Sequence, residues 1–140
     1  MAADTPAVQV AGPARLALVD RVHDALERLW EQAREVPVDD RTLFALAVSE
    51  VLTNMVQHSD GPCEVSVSVE LRATDDDLTA ILVDTAPPAA IDWHGVAMPD
   101  TDSESGRGLA LARAALDEFT HTFDEGGNRW LLRRRLGVRP

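Results

Sequence analysis

Apolar and polar positions change their repeat several times along this chain, and each change marks a boundary between elements. Val8 to Val10 fit a short strand that Gly12-Pro13 ends. Leu16, Val19, Val22, Leu26, Leu29 and Trp30 then recur at helical spacing, and Pro37 is expected to close this helix. A second helix, capped by Asp39 or Asp40, carries Leu43, Phe44, Ala47, Val48, Val51, Leu52, Met55 and Val56 and ends near His58, ahead of Asp60-Gly61-Pro62. The period then drops to two. Cys63, Val65, Val67, Val69 and Leu71 alternate with Glu64, Ser66, Ser68 and Glu70, the signature of a strand with one buried face. Asp75-Asp76-Asp77 makes a solvated turn, and Leu78 to Val83 is an apolar run of strand length with Asp84 at its end.

From Thr85 to Ser105 periodicity fades and Pro87, Pro88 and Pro99 interrupt the chain, which marks a long loop of the kind that carries function. Gly106-Arg107-Gly108 opens a third helix with Leu109, Leu111, Ala112, Ala115 and Leu116 on its apolar side. Two strands, Phe119 to Phe123 and Arg129 to Leu136, flank the hairpin loop Asp124-Glu125-Gly126-Gly127-Asn128. This order of elements predicts an α+β, two-layer sandwich: a mixed, mainly antiparallel sheet with helices packed on one face. No internal repeat is present.

Composition narrows the function. The 140 residues, 45% hydrophobic, suit a single domain, divided here into residues 1–7 as a flexible N-terminus, 8–136 as the folded unit and 137–140 as a tail. The formal charge of −11, with every one of the 13 basic residues an arginine, disfavours direct nucleic-acid binding and suits a basic protein partner. A lone cysteine, Cys63, excludes an internal disulfide framework, and no apolar run reaches membrane-spanning length, so a cytoplasmic protein without membrane contact is expected.

Glu50, Asn54 and His58 are spaced four apart on the second helix and share one polar line, while Leu43, Leu46, Ala47, Val51 and Met55 mark its apolar side. Such a line is equally the solvated side of an ordinary surface helix. Its meaning changes beside Asp84 and the Gly106-to-Leu109 turn. A bound nucleotide needs an acceptor for its exocyclic amine, an oxygen ligand for magnesium and free backbone N–H groups near its phosphates. Asp84, Asn54 and Gly106 to Leu109 supply these in order.

Glu50-Val51-Leu52-Thr53-Asn54, Asp84-Thr85-Ala86-Pro87 and Gly106-Arg107-Gly108-Leu109 resemble, in order and spacing, the three nucleotide boxes of the GHKL (Bergerat-fold) ATPase superfamily. Leu46-Ala47-Val48-Ser49-Glu50, with His58 a turn beyond Asn54, is most similar to the anti-sigma-factor serine/threonine kinases of bacteria. The resemblance covers roughly residues 8 to 136 and implies ATP and Mg as cofactors. It implies Asn54 as magnesium ligand, Glu50 as the residue that orients or deprotonates the attacking hydroxyl, and Asp84 as acceptor of the adenine amine. Gly106, Arg107, Gly108 and Leu109 would wrap the phosphates, with His58, Ala86 and Asn128 completing the nucleotide site. The implied partners are a sigma factor and an anti-sigma-factor antagonist of STAS type, with homodimerisation as a further implication. The histidine-kinase branch of the superfamily carries a separate phosphoacceptor helix for which 140 residues leave no room, so any phosphoacceptor is expected to belong to another protein.

The chain departs from the family pattern at three places: Ala86 and Pro88 stand where glycines are usual, and Asn128 stands where a threonine follows the hairpin glycines. An alternative reading follows, in which the fold sequesters a partner without turning over ATP. His23, His94 and His121 lack metal-ligand spacing, Trp30 and Trp130 suit the core, and Trp93 could anchor a partner or pack in a lid. Arg133-Arg134-Arg135 reads as an edge strand or solvated end that discourages pairing, and Asp100 to Glu104 as solvated loop.

Overall fold

The computed structural model describes residues 5–59, 64–88 and 104–137. Strand β1 (Ala7–Pro13) is followed by helices α1 (Leu16–Gln32) and α2 (Val38–Gln57), strands β2 (Ser66–Ala73) and β3 (Asp77–Asp84), helix α3 (Glu104–Ala114), and strands β4 (Glu118–Asp124) and β5 (Gly127–Arg135). Among the described residues the strands form one five-stranded sheet in the order β1-β2-β3-β5-β4. Every neighbouring pair in it is antiparallel. The α+β sandwich with helices on one face is therefore present.

Period-two alternation decides which face of the sheet is covered. Val67, Val69 and Leu71 of β2, Leu78, Ala80 and Leu82 of β3, and Trp130 and Leu132 of β5 are all buried and in register across the sheet. They meet Leu18, Val22, Leu26 and Leu29 of α1 and Phe44, Val48, Val51 and Leu52 of α2 in one apolar cluster. Each such side chain contributes about 1.5–3 kcal/mol on burial. Trp30 and Phe44 join the two helices edge to face, with ring centroids 6.3 Å apart. On the opposite face Gln9, Ser68, Glu70, Ile81, Val83 and Arg129 border a shallow groove of about 400 Å³.

Several boundaries differ from the sequence expectation, each for a physical reason. β1 runs through Gly12 and Pro13, because an edge strand tolerates a residue that cannot donate to the ladder. Pro37 does not end α1, which stops at Gln32; it occupies the N-cap position of α2. Asp39 and Asp40 do not cap α2 but lie in its first turn, where carboxylates oppose the positive end of the helix dipole. β2 begins at Ser66 and continues to Ala73, with Cys63 outside the described residues. Trp93, His94 and most of the 85–105 loop also lie outside them.

The arginine run is the largest correction. β5 is an interior strand between β3 and β4 and pairs on both sides as far as Arg133, so Arg133 and the half-buried Arg134 are not solvated, and only the exposed Arg135 ends the strand as expected. Alternation sends the Arg133 and Arg134 side chains to opposite faces, where they find carboxylates and a carbonyl, while Arg135 donates only its backbone N–H, to Asp117 at 2.6 Å. Arg133 bonds Asp77 at 2.8 Å and lies 3.7 Å from Glu118; the hydrogen bond and charge of Asp77 raise its already high pKa. Arg134, on the helix side, donates to Asp40 at 2.9 Å and to the Ala115 carbonyl at 2.8 Å, tying the first turn of α2 to the end of α3.

Candidate functional site

Asp84 is the last residue of β3 and follows Leu78, Ala80 and Leu82 on the helix-facing side, so alternation forces a carboxylate into a buried row. Burial of such a group is tolerable only when it is hydrogen-bonded. Oδ1 of Asp84 accepts the Ala86 N–H at 3.1 Å and the Asn128 amide at 2.9 Å. The β3–β5 register sets Asn128 directly opposite Asp84. Asn128 is itself only 1% exposed, and its Nδ2 also donates to the carbonyls of Ala86 at 3.2 Å and Pro87 at 2.8 Å. Three acceptors face the Asn128 NH2 group, so its oxygen is the end turned to His121, whose Nε2 lies 2.8 Å away. An amide oxygen only accepts, so His121 carries a proton on Nε2. The His121 ring in turn rests against Trp130, with centroids 4.6 Å apart.

The hairpin between β4 and β5 makes this arrangement possible. Sequence reading left Asn128 in the loop, whereas β5 starts at Gly127 and places Asn128 in the ladder. Gly127 has φ of 111°, and a Cβ there would run into the Asp84 carbonyl oxygen and stand 3.2 Å from Thr85 Cα. Only glycine permits both that backbone conformation and that approach.

The helical wall holds the second group. Glu50 and Asn54 are half-buried on α2, one turn apart, and His58 is exposed at the C-cap, where its N–H donates to the Asn54 carbonyl at 3.1 Å. Gly108 of α3 lies against Glu50: a Cβ on Gly108 would collide with Glu50 Oε2 and approach its Cδ to 3.5 Å. The Glu50 carboxylate therefore lies at the first turns of α3. α3, however, starts at Glu104, two residues before the expected glycine turn. Gly106 and Arg107 keep N–H groups among the first four, which have no partner within the helix, whereas Gly108 and Leu109 begin the helical ladder. Arg107 is exposed and Leu109 is core, so Leu109 could meet a ligand only through its backbone. Ala86 is half-buried against the core with N–H and C=O both engaged, and Pro88 is exposed.

The candidate residues thus form two groups: Glu50, Asn54 and Gly108 on the helices, Asp84, Ala86 and Asn128 on the sheet. Sequence reasoning passed over His121 and Gly127. Alternation in β4 could have found His121, since Phe119, His121 and Phe123 share the face that carries Trp130 and Asn128. The described residues contain no cluster of three or more His, Cys, Asp or Glu side chains. Magnesium needs none, because it binds through one or two protein oxygens together with phosphates and water, and the Asn54 amide beside Glu50 fits that demand. The N–H groups at the start of α3 that have no partner within the helix fit a phosphate chain. Among the described residues, no helix is long and apolar enough to cross a membrane.

The fold is shared with two solved structures. The RsbU and RsbW domains of Rv1364c from Mycobacterium tuberculosis superpose with a TM-score of 0.67 at 23% identity, covering 99% of this chain and 34% of that one. This chain thus spans about a third of the length of that solved chain. The histidine kinase domain of a blue-light activated histidine kinase from Erythrobacter litoralis gives a TM-score of 0.56 at 21% identity, covering 86% of this chain and 60% of that one. No curated protein matches the chain. The histidine kinase-like ATPase domain family matches residues 12–134, which include Glu50, Asn54, Asp84, Gly108 and Asn128. With nearly the whole folded unit matched, the chain belongs to the histidine kinase-like ATPase domain family.

Proposed function

We propose that this protein is a cytoplasmic anti-sigma factor with serine/threonine kinase activity, which binds Mg-ATP, sequesters a sigma factor and phosphorylates a STAS-type antagonist. The observation that supports the reading is the contact of Glu50 with Gly108, which brings a carboxylate, the group a general base needs, near a helix start suited to phosphates. Bound Mg-ATP supplies the transferable γ-phosphoryl group and a metal charge to offset that of the phosphates. Glu50 accepts the proton of the attacking serine or threonine hydroxyl as the new P–O bond forms and the bond to ADP breaks. Asn54 holds the metal, Asp84 accepts the base amine, and Arg107 offers charge toward the phosphates. Positioning and electrostatics do most of the work in such a transfer. The net charge of −11 suits a basic surface on the sigma factor.

A second reading has support of its own, since one oxygen of Asp84 is already occupied by Asn128. A module that keeps the fold and the partner but not the nucleotide would tolerate such a half-filled base site. Glu50→Ala separates the readings: the kinase loses transfer to purified STAS-type antagonists while retaining nucleotide binding. Transfer by Glu50→Ala at the native rate contradicts the assignment of Glu50.

A further inference from the structure

Oδ1 of Asp84 receives two hydrogen bonds, from Ala86 N–H and Asn128 Nδ2, and a carboxylate oxygen offers two acceptor positions. That oxygen is full. Oδ2 receives no hydrogen bond from a described residue. His121, by donating to Asn128 Oδ1, keeps the donor end of the amide turned toward Asp84, and the Ala86 and Pro87 carbonyls hold it there. The site therefore presents half a carboxylate to a base.

We propose that Asn128 determines base selectivity: by filling Asp84 Oδ1 it admits a base whose Watson–Crick edge carries one N–H, that of the adenine amine, and rejects guanine. This inference rests on the nucleotide-binding reading above. Guanine offers two adjacent donors, N1–H and the N2 amine, which pair with both oxygens of an open carboxylate. With Oδ1 filled, one guanine donor stays unpaired in a buried site, which costs about 10- to 100-fold in affinity. Adenine keeps its pairing, since the one N–H of its amine on that edge needs only Oδ2. His121 acts through Asn128 and is a positioning residue.

Calorimetry with Mg-ATP, Mg-GTP and Mg-ITP on the native protein, Asn128→Ala and Asn128→Thr tests the idea. The native protein favours ATP over GTP by about tenfold or more and binds GTP and ITP within about threefold, because the N2 amine of guanine finds no second oxygen. Asn128→Ala frees one position on Oδ1, so GTP gains on ITP and the preference for ATP falls by about tenfold. Asn128→Thr keeps one hydroxyl donor and retains the preference. An unchanged ATP-to-GTP ratio in Asn128→Ala, or an equal loss for both nucleotides, overturns the proposal and leaves Asn128 a support for the 84–87 turn. If Asn128→Ala does not fold, the native series decides, since GTP binding more than about tenfold tighter than ITP means both oxygens are open. A native protein that binds ATP and GTP alike overturns the selectivity alone. One that binds neither overturns the nucleotide reading and the inference with it.

Discussion

Gly108→Ala separates stability from catalysis at one atom. The added Cβ would meet Glu50 Oε2 and lie 3.5 Å from Cδ and 4.0 Å from Cβ of the same residue. The obstacle is the far end of a flexible side chain, so the carboxylate swings aside and the helices stay in place. Turning Glu50 off its rotamer costs about 0.5–1.5 kcal/mol. Alanine recovers about 1 kcal/mol over glycine inside a helix. The terms nearly cancel, and at about 2–4 °C per kcal/mol for a chain approaching this size, the melting temperature moves by no more than about 4 °C. Glu50, displaced by about 1 Å, should lose about 100-fold in phosphoryl transfer. Thermal melts beside transfer of labelled γ-phosphate to purified STAS-type antagonists read both quantities. Transfer within about threefold of native would refute the placement of Glu50 against the phosphate turn. A melt lowered by more than about 8 °C would refute the reasoning that the side chain yields.

Gly127→Ala combines a positive φ with a collision against the Asp84 backbone, so it should cost about 3 kcal/mol or more, and a melt within about 2 °C of native contradicts the hairpin geometry. Arg134→Ala removes a half-buried ion pair to Asp40 and a bond to the Ala115 carbonyl; a loss of about 1–3 kcal/mol is expected, with a double-mutant cycle against Asp40→Ala giving at least about 0.5 kcal/mol of coupling. Leu132→Ala, at the centre of the sheet's covered face, should cost about 2–5 kcal/mol by denaturant unfolding, and a cost under about 1 kcal/mol would place it outside the core.

The elements with strong periodicity were legible from sequence, and the rest was decided by contacts far apart in the chain. Alternation identified β2 and β3, and helical spacing identified α1 and α2, because each of these buries one face against the same core. The ordered motifs around Glu50, Asn54, Asp84 and Gly108 supplied the residues of both groups in the candidate site. Hidden from sequence was the strand order: nothing local in Arg133-Arg134-Arg135 says that β5 lies inside the sheet, since its carboxylate partners Asp77 and Asp40 stand 56 and 94 residues away. The same holds for Asn128, whose role depends on a β5 that begins one residue earlier, at Gly127. A helix beginning two residues before Gly106 was hidden as well, because glycine argues against a helix interior while being tolerated in its opening turn.

The central claim is an occupied nucleotide site built on α2, α3 and the end of β3. Calorimetry of Mg-ATP binding to the purified protein, beside Asn54→Ala and a magnesium-free control, tests it most directly. The account predicts micromolar binding that weakens by about tenfold or more in Asn54→Ala and when magnesium is removed. Absence of binding by the native protein would contradict it, leaving a module of this fold that holds its partner without nucleotide.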